Sequence, residues 1–228
     1  MNKETIILSL GGSLVAPGEI DIEFLKKFRS LVLKRLSKKR FIIFVGGGKI
    51  CRNYQKVLME FGANNKDRDW IGINVSRLNA EVIRNLFKSI SYPKIITDPT
   101  KKFNAKNSVV VGAGWKPGRS TDCIAVLAAK KTGAKTIVNL TNIDYVYTKD
   151  PRKFSDAKPL KEISWKNFRK IIGSKWVPGY SSPFDPEASK LAEKVGLTVV
   201  IINGKNLERL DNFLNNKPFI GTIIHPIK

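Results

Sequence analysis

Residues Phe41 to Arg52, FIIFVGGGKICR, decide the fold. Phe41–Val45 is wholly apolar and stops at three glycines. A short apolar run ending in glycine is a buried strand that stops at a turn. Helix-compatible residues follow from Ile50 to Glu60. Strand, glycine loop and helix together turn main-chain N–H groups toward an anion. Glycine has no Cβ to hold a phosphate off the backbone, and a helix N-terminus adds a favourable field. Lys49 and Arg52 add positive charge. The same device opens the chain, where Ile6–Leu10 run into Gly11, Gly12 and Ser13. Two such loops imply two phosphates, or one phosphate passed between two sites.

Working outward, residues 5–10 form a first strand. Asp21 is the N-cap of a helix carrying Leu25, Phe28, Val32, Leu33 and Leu36 at helical spacing. Residues 62–69, GANNKDRD, are polar and glycine-led, hence a loop. Ile73, Leu78, Val82, Ile83 and Leu86 predict one helix over 70–90. Short strands follow at 94–96 and 109–111, separated by a polar stretch over 97–107. Ser120, Thr121 or Asp122 caps a helix through Ala129. Thr136–Leu140 is a strand, 160–173 a helix and 178–183 a loop. Pro186 opens a further helix. Leu197–Ile202 is a strand, Asn206–Leu214 a helix and Thr222–Ile224 an edge strand. Strands alternating with helices predict an α/β protein with a largely parallel central sheet and ligands at the strand ends. No internal repeat or linker divides the chain.

The chain has 228 residues, with Lys+Arg 41 against Asp+Glu 19, a net charge of +22. Such a balance favours anionic partners. The basic residues are spread along the whole chain with no recognition motif, which argues against nucleic-acid binding as the function. No run of about 18 apolar residues occurs, so no membrane-spanning helix is expected. The N-terminal MNKETIILSLGGS reads as a first strand and not a signal peptide. Cys51 and Cys123 are the only cysteines. They make neither a disulfide framework nor a zinc site, and two buried free thiols in a cytoplasmic protein are expected.

Together these motifs resemble the amino-acid-kinase superfamily, and within it the archaeal-like uridylate (UMP) kinases. The resemblance covers almost the whole chain. It rests on SLGGS at 9–13, VGGGKICR at 45–52, DWIG at 69–72 with Asn79, GRSTD at 118–122, TNIDYVYTKDP at 141–151 and PFDPEASKLA at 183–192. It implies a three-layer αβα sandwich in a single domain. Residues 1–140 would be mainly the acceptor-binding half and 141–228 mainly the ATP-binding half. It further implies ATP and UMP as substrates, Mg2+ carried with ATP, and a homo-oligomer, a hexamer built as a trimer of dimers.

The resemblance assigns roles residue by residue. Gly11, Gly12, Ser13 and Gly48 face the ATP phosphates. Gly47 holds the acceptor phosphate, with Arg52 as a charge clamp on the reacting groups. Asp69, Asn79, Ser120, Thr121 and Asp122 match the acceptor site. Thr141, Asn142, Tyr147 and Asp150 match the adenosine site, with Tyr145 standing where the family pattern has glycine. Asp185 faces the reacting phosphates. Many relatives carry a lysine before the first glycine loop. Here Ser9 and Leu10 stand there, so Lys49, Lys190 or Mg2+ would supply the charge. For each of these residues a plain reading stands beside the functional one: turn glycines, helix caps at Asp69, Asp122 and Asp185, and surface lysines. Lone His225 is expected at the surface. No Ser/His/Asp set and no His/Cys metal cluster is visible. Three rivals remain: a related kinase with another acceptor, a non-catalytic nucleotide-binding or storage protein on the same fold, and a nucleic-acid-associated regulator.

Overall fold

The computed structural model describes residues 3–103, 107–173 and 182–226. Most of the predicted loop at 178–183 and part of the polar stretch at 97–107 lie outside them. The sheet, among the described residues, has the order β3-β2-β1-β4-β8-β9-β7. Its members are β1 (Glu4–Leu10), β2 (Lys39–Val45), β3 (Val109–Gly112), β4 (Thr136–Thr141), β7 (Glu162–Ser164), β8 (Thr198–Asn203) and β9 (Thr222–His225). β5 (Val146–Tyr147) and β6 (Pro159–Leu160) form a separate antiparallel ribbon. The helices are α1 (Gly12–Val15), α2 (Ile22–Arg35), α3 (Gly48–Glu60), α4 (Asn65–Leu86), α5 (Thr121–Thr132), α6 (Trp165–Ile172), α7 (Pro186–Lys194) and α8 (Leu207–Leu214).

The period-two alternation of the strands divides the core into two layers. Ile6, Leu8 and Leu10 of β1 face one side, with Phe41, Ile43 and Val45 of β2, against Phe28 of α2, Ile83 of α4 and Leu210 of α8. Ile7, Ile42 and Phe44 face the other side, against α5, α6 and α7. This is the expected αβα sandwich. β1, β2, β3, β4 and β8 run parallel, and β9 turns back antiparallel to β8. From β1 the chain adds β2 and β3 on one side, then β4 and β8 on the other. The crevice at the C-terminal ends of β1 and β4 is therefore a topological switch point, where such sheets bind ligands.

Several local expectations are corrected. The helix expected at 70–90 begins five residues earlier, because the Asn64 side chain accepts from the Asp67 N–H at 3.0 Å and caps α4. Asp69 therefore lies inside that helix and does not cap it. Leu78 and Leu33 point outward, at 68% and 36% exposure. Residues 94–96 contribute only an isolated bridge, Ile96 to Gly112. The stretch 160–173 is a helix only from Trp165, preceded by two short strands. β9 is not an edge: it lies between β8 and β7. The N-cap of α2 is Asp21 as expected, accepting from the Phe24 N–H at 2.9 Å.

The two glycine loops meet backbone to backbone. A Cβ on Gly12 would lie 2.3 Å from the Gly46 carbonyl oxygen and 2.4 Å from the Gly48 nitrogen. Gly48 has φ +71, and a Cβ there would lie 2.5 Å from the Gly12 carbonyl. Gly12→Ala should therefore lower the thermal midpoint by roughly 3–10 °C, from an overpacking cost of about 1–3 kcal/mol. Gly18→Ala, with nothing within 4 Å, should leave it unchanged. Calorimetry of both variants checks this.

Candidate active site

The strand ends carry the loops into contact. The Gly46 N–H donates to the Leu10 carbonyl and the Gly11 N–H to the Leu140 carbonyl, both at 2.9 Å. The first glycine loop thus sits between β2 and β4. From α4, buried Asn79 donates its side-chain amide to the Gly46 carbonyl at 2.9 Å and the Gly47 carbonyl at 3.3 Å. Asn79 holds the second loop from behind and does not line the cleft. A cleft of about 300 Å3 opens beside the joined loops and is lined by both.

Two carboxylates form part of its lining. Ser9 Oγ donates to Asp122 Oδ1 at 2.7 Å, and the Asp185 N–H donates to Asp122 Oδ2 at 3.1 Å. Ser120, not Asp122, caps α5 by accepting from the Cys123 N–H at 3.2 Å. That division of labour leaves the Asp122 carboxylate in the cleft. Asp185 does cap α7: its Oδ1 accepts from the Ala188 N–H at 2.7 Å. Its Oδ2 is buried with no partner. Burial, then the neighbouring Asp185 charge, pushes Asp122 up to about 6 against the Ser9 hydrogen bond. Burial also raises Asp185. Cys123, beside Asp185, is pushed up to about 12, chiefly by burial, and is an inert thiol. Both cysteines are buried and free.

On one side of the cleft, Asp69 projects from α4 and accepts the Gly118 N–H at 2.7 Å. Burial raises its pKa, against that hydrogen bond. The loop before α5 is pinned to α4. Ser76 Oγ accepts the Gly114 N–H at 2.9 Å, and Arg77 donates to the carbonyls of Gly114 and Trp115 at 3.1 Å each. Asn139 of β4 donates to the Pro183 carbonyl at 2.7 Å and holds the segment before α7 against the sheet.

On the opposite side, Thr141 and Asn142 line the cleft at the end of β4. Asp144 follows them, accepting from Arg209 at 2.6 Å and Asn203 at 2.7 Å. The Arg209 bond first, then Asn203, holds its pKa down. Tyr145 fits without strain, since Asn216 is the one non-glycine residue with positive φ among those described. Tyr147 lies in the small ribbon, edge to face with Tyr145 at 6.5 Å. Asp150 is forked by Arg152, which donates to both carboxylate oxygens at 3.0 Å.

The cleft thus brings together Gly11, Gly12, Ser13, Gly47, Gly48, Arg52, Asp69, Ser120, Thr121, Asp122, Thr141, Asn142 and Asp185. Lys49 is exposed and outside its lining. Lys190 is also outside, paired with Glu187 at 2.7 Å, three residues earlier on α7. Tyr147 stands on the ribbon and Asp150 in the connection between its two strands, both apart from the lining. Lys116 and Arg119 line the cleft and were missed from sequence. Arg119 is the arginine of GRSTD itself and Lys116 stands two residues before that motif, which is their one legible signal. Lys116 lies over the Trp115 ring at 4.2 Å.

Residues 4–203 match the amino acid kinase family. The uridylate kinase of Pyrococcus abyssi is 36% identical over 225 residues, 97% of this chain and 99% of that protein. The uridylate kinase of Methanospirillum hungatei is 33% identical, over 96% of this chain and 94% of that protein. The crystal structure of uridylate kinase from Archaeoglobus fulgidus superposes with a TM-score of 0.80 at 30% identity, covering 96% of this chain and 99% of that one. A UMP kinase from Ureaplasma parvum shares the fold, with a TM-score of 0.79 at 18% identity. The paired glycine loops, the acid pair in their cleft and these likenesses agree: the chain belongs to the amino acid kinase family, among its uridylate kinases.

Proposed function

We propose that this chain transfers the γ-phosphate of ATP to UMP, giving ADP and UDP. The observation that carries the reading is the backbone contact of the two glycine loops. It sets two anion cradles side by side, as a direct transfer needs. A phosphate oxygen of UMP attacks the γ-phosphorus, and the bond to the β,γ-bridging oxygen breaks. The attacking oxygen is already ionised, so no general base is required. The sole histidine, His225, sits at the end of β9 with its ring against the Pro226 carbonyl.

In this reading Gly11, Gly12 and Ser13 cradle the ATP phosphates with Gly48, and Gly47 cradles the acceptor phosphate. Arg52 clamps the phosphates, joined by Lys116 and Arg119 at the cleft wall. These cations answer for the lysine that Ser9 replaces better than Lys49 or Lys190 does. Asp69, Ser120 and Thr121 hold the acceptor nucleoside, while Asn79 supports the loop beneath it. Thr141, Asn142 and Tyr147 hold adenosine. Asp150 joins them on exchanging Arg152 for a ribose hydroxyl. The acceptor half is then 1–140 and the ATP half 141–228.

The unpartnered Asp185 Oδ2 beside Asp122 suits a divalent cation. No cluster of three or more acidic, His or Cys side chains suited to a metal ion occurs among the described residues. The pair therefore fits Mg2+ carried in on ATP, which supplies neutralisation of phosphate charge. Among the described residues no helix is long and apolar enough to cross a membrane. We place the activity in the cytoplasm, supplying pyrimidine nucleotides.

The assembly we propose is a homo-oligomer, a hexamer built as a trimer of dimers. α3 buries only Cys51 and Gln55. Ile50, Tyr54, Val57 and Phe61 fall on one stripe of it at helical spacing. Tyr54, Val57 and Phe61 are 56%, 53% and 83% exposed, with Leu78 of the neighbouring α4 at 68%. A second copy would cover this stripe, with anions screening the net charge.

ADP release with ATP and Mg2+ should be far faster with UMP than with AMP, GMP or isopentenyl phosphate. ATP binding without turnover on any acceptor would leave a nucleotide-binding protein. Arg52→Ala should lower kcat/KM by roughly 100–1000-fold, as for loss of one oriented charge partner at a reacting group.

The acid pair also sets a pH dependence. With the folded pKa of Asp122 raised to about 6, the stability tied to its protonation is full below its ordinary carboxylate range. It is lost as pH rises through about 6. Asp122→Asn should remove this slope and stabilise the ligand-free protein above pH 6 by about 1–3 kcal/mol. The amide can donate to Ser9 Oγ and accept from the Asp185 N–H. Thermal midpoints from pH 4 to 8 check it.

Phe61→Asp with Val57→Asp should convert the oligomer to monomers, measured by sedimentation.

A further inference from the structure

Gln55 lies on α3 one turn beyond Arg52, and nothing above uses it. It is 5% exposed yet lines the cleft. Its Nε2 donates to the Arg68 carbonyl at 3.0 Å. That bond fixes the amide, because a flip would set Oε1 against a carbonyl oxygen. Oε1 is buried and has no partner. Gly72 makes the arrangement possible. A Cβ there would lie 3.2 Å from Gln55 Nε2 and 3.3 Å from Cys51 Sγ. A buried acceptor beside a ligand cleft takes its donor from water or from the ligand that displaces it.

Position narrows the choice. Gln55 stands seven residues past Gly48, about 10 Å along the helix from the phosphate loop. That is past a bound phosphate and level with the sugar of a nucleotide. Arg68, whose carbonyl anchors the amide, directly precedes Asp69. The Asp69 carboxylate lines the same cleft with Oδ2 taken by the Gly118 N–H, leaving Oδ1 for a ligand. Two acceptors on facing helices match the two donors of a ribose cis-diol.

We propose that Gln55 Oε1 accepts the ribose 2′-hydroxyl of the acceptor nucleotide, so that Gln55 and Asp69 together select ribonucleotides over deoxyribonucleotides. The inference rests on the acceptor-site reading given above. It makes Gln55 a specificity residue, not one that touches the transferred phosphate.

The test compares kcat/KM for UMP, dUMP and CMP in the full-length protein and in Gln55→Met. Gln55→Leu is the second variant, lacking even the weak thioether acceptor. Wild type should prefer UMP to dUMP. Both variants should lose about 3–10-fold on UMP, the worth of one neutral hydrogen bond, with dUMP nearly unchanged and the UMP/CMP ratio constant. Calorimetric binding of UMP and dUMP should show the same loss. Equal losses on UMP and dUMP would make Gln55 a mere prop for α4 and overturn the proposal. A changed UMP/CMP ratio with a constant UMP/dUMP ratio would make it a base reader and overturn it too. Wild type that binds UMP without turning it over would defeat the kinase reading alone, since the binding ratios still decide Gln55. Wild type that does not bind UMP defeats both.

Discussion

Two stretches of main chain, one at Gly12 and one at Gly46–Gly48, approach closer than any side chain permits. Everything at the site depends on that contact. It brings the ends of β1 and β2 to one point and starts α1 and α3 from it. Backbone N–H groups from both loops can then face one small volume. Asn79 holds the second loop from beneath, through a side-chain amide that α4 delivers. Without the close approach, each loop would be an ordinary turn at the end of a strand, and no transfer between two phosphates would be geometrically open.

Charge in the molecule is arranged against its average. A chain with net charge +22 pairs two carboxylates, Asp122 and Asp185, in this cleft, with Asp69 also in its lining. Neither makes a salt bridge among the described residues. Ser9, just before the first glycine loop, gives Asp122 a hydrogen bond instead of a counter-charge. The acids therefore keep their protons more strongly than solvent-exposed carboxylates do. The cations stand on the walls, at Arg52, Lys116 and Arg119. Incoming phosphates and their metal would complete this half-neutralised arrangement, and binding and charge balance become one event.

Caps and site residues share the same short stretches. In STD at 120–122, the serine takes the helix cap, which releases the aspartate to the cleft. At Asp185 one carboxylate oxygen caps α7 while the other remains unpaired. Sequence could not divide these tasks, because Ser, Thr and Asp all serve as N-caps and differ only in which N–H they reach. The same holds for Asn64, whose capping of α4 moved the helix start by five residues and put Asp69 on a helix face. Lys49 and Lys190 were credible cations by proximity along the chain. One turned to solvent, and the other found Glu187 a turn earlier on its own helix.

What the sequence by itself determined is local and periodic. The apolar runs stopped by glycine, the alternation of strand and helix, and the order of the motifs were enough for the sandwich and its family. The runs, turns and caps depend on near neighbours along the chain, and the motif order is read directly along its length, so both are written in the sequence. What only the tertiary structure decided lies between elements far apart in sequence. The Gly12–Gly46 contact, the bond of Ser9 to Asp122 across 113 positions, the arrival of Lys116 and Arg119 at the cleft and the unpaired oxygen of Gln55 are all of this kind. So is the place of β9 inside the sheet, since a short apolar strand looks alike at an edge or a centre. Such relations are set by how packed layers bring distant backbones together, and no single window of sequence contains both partners.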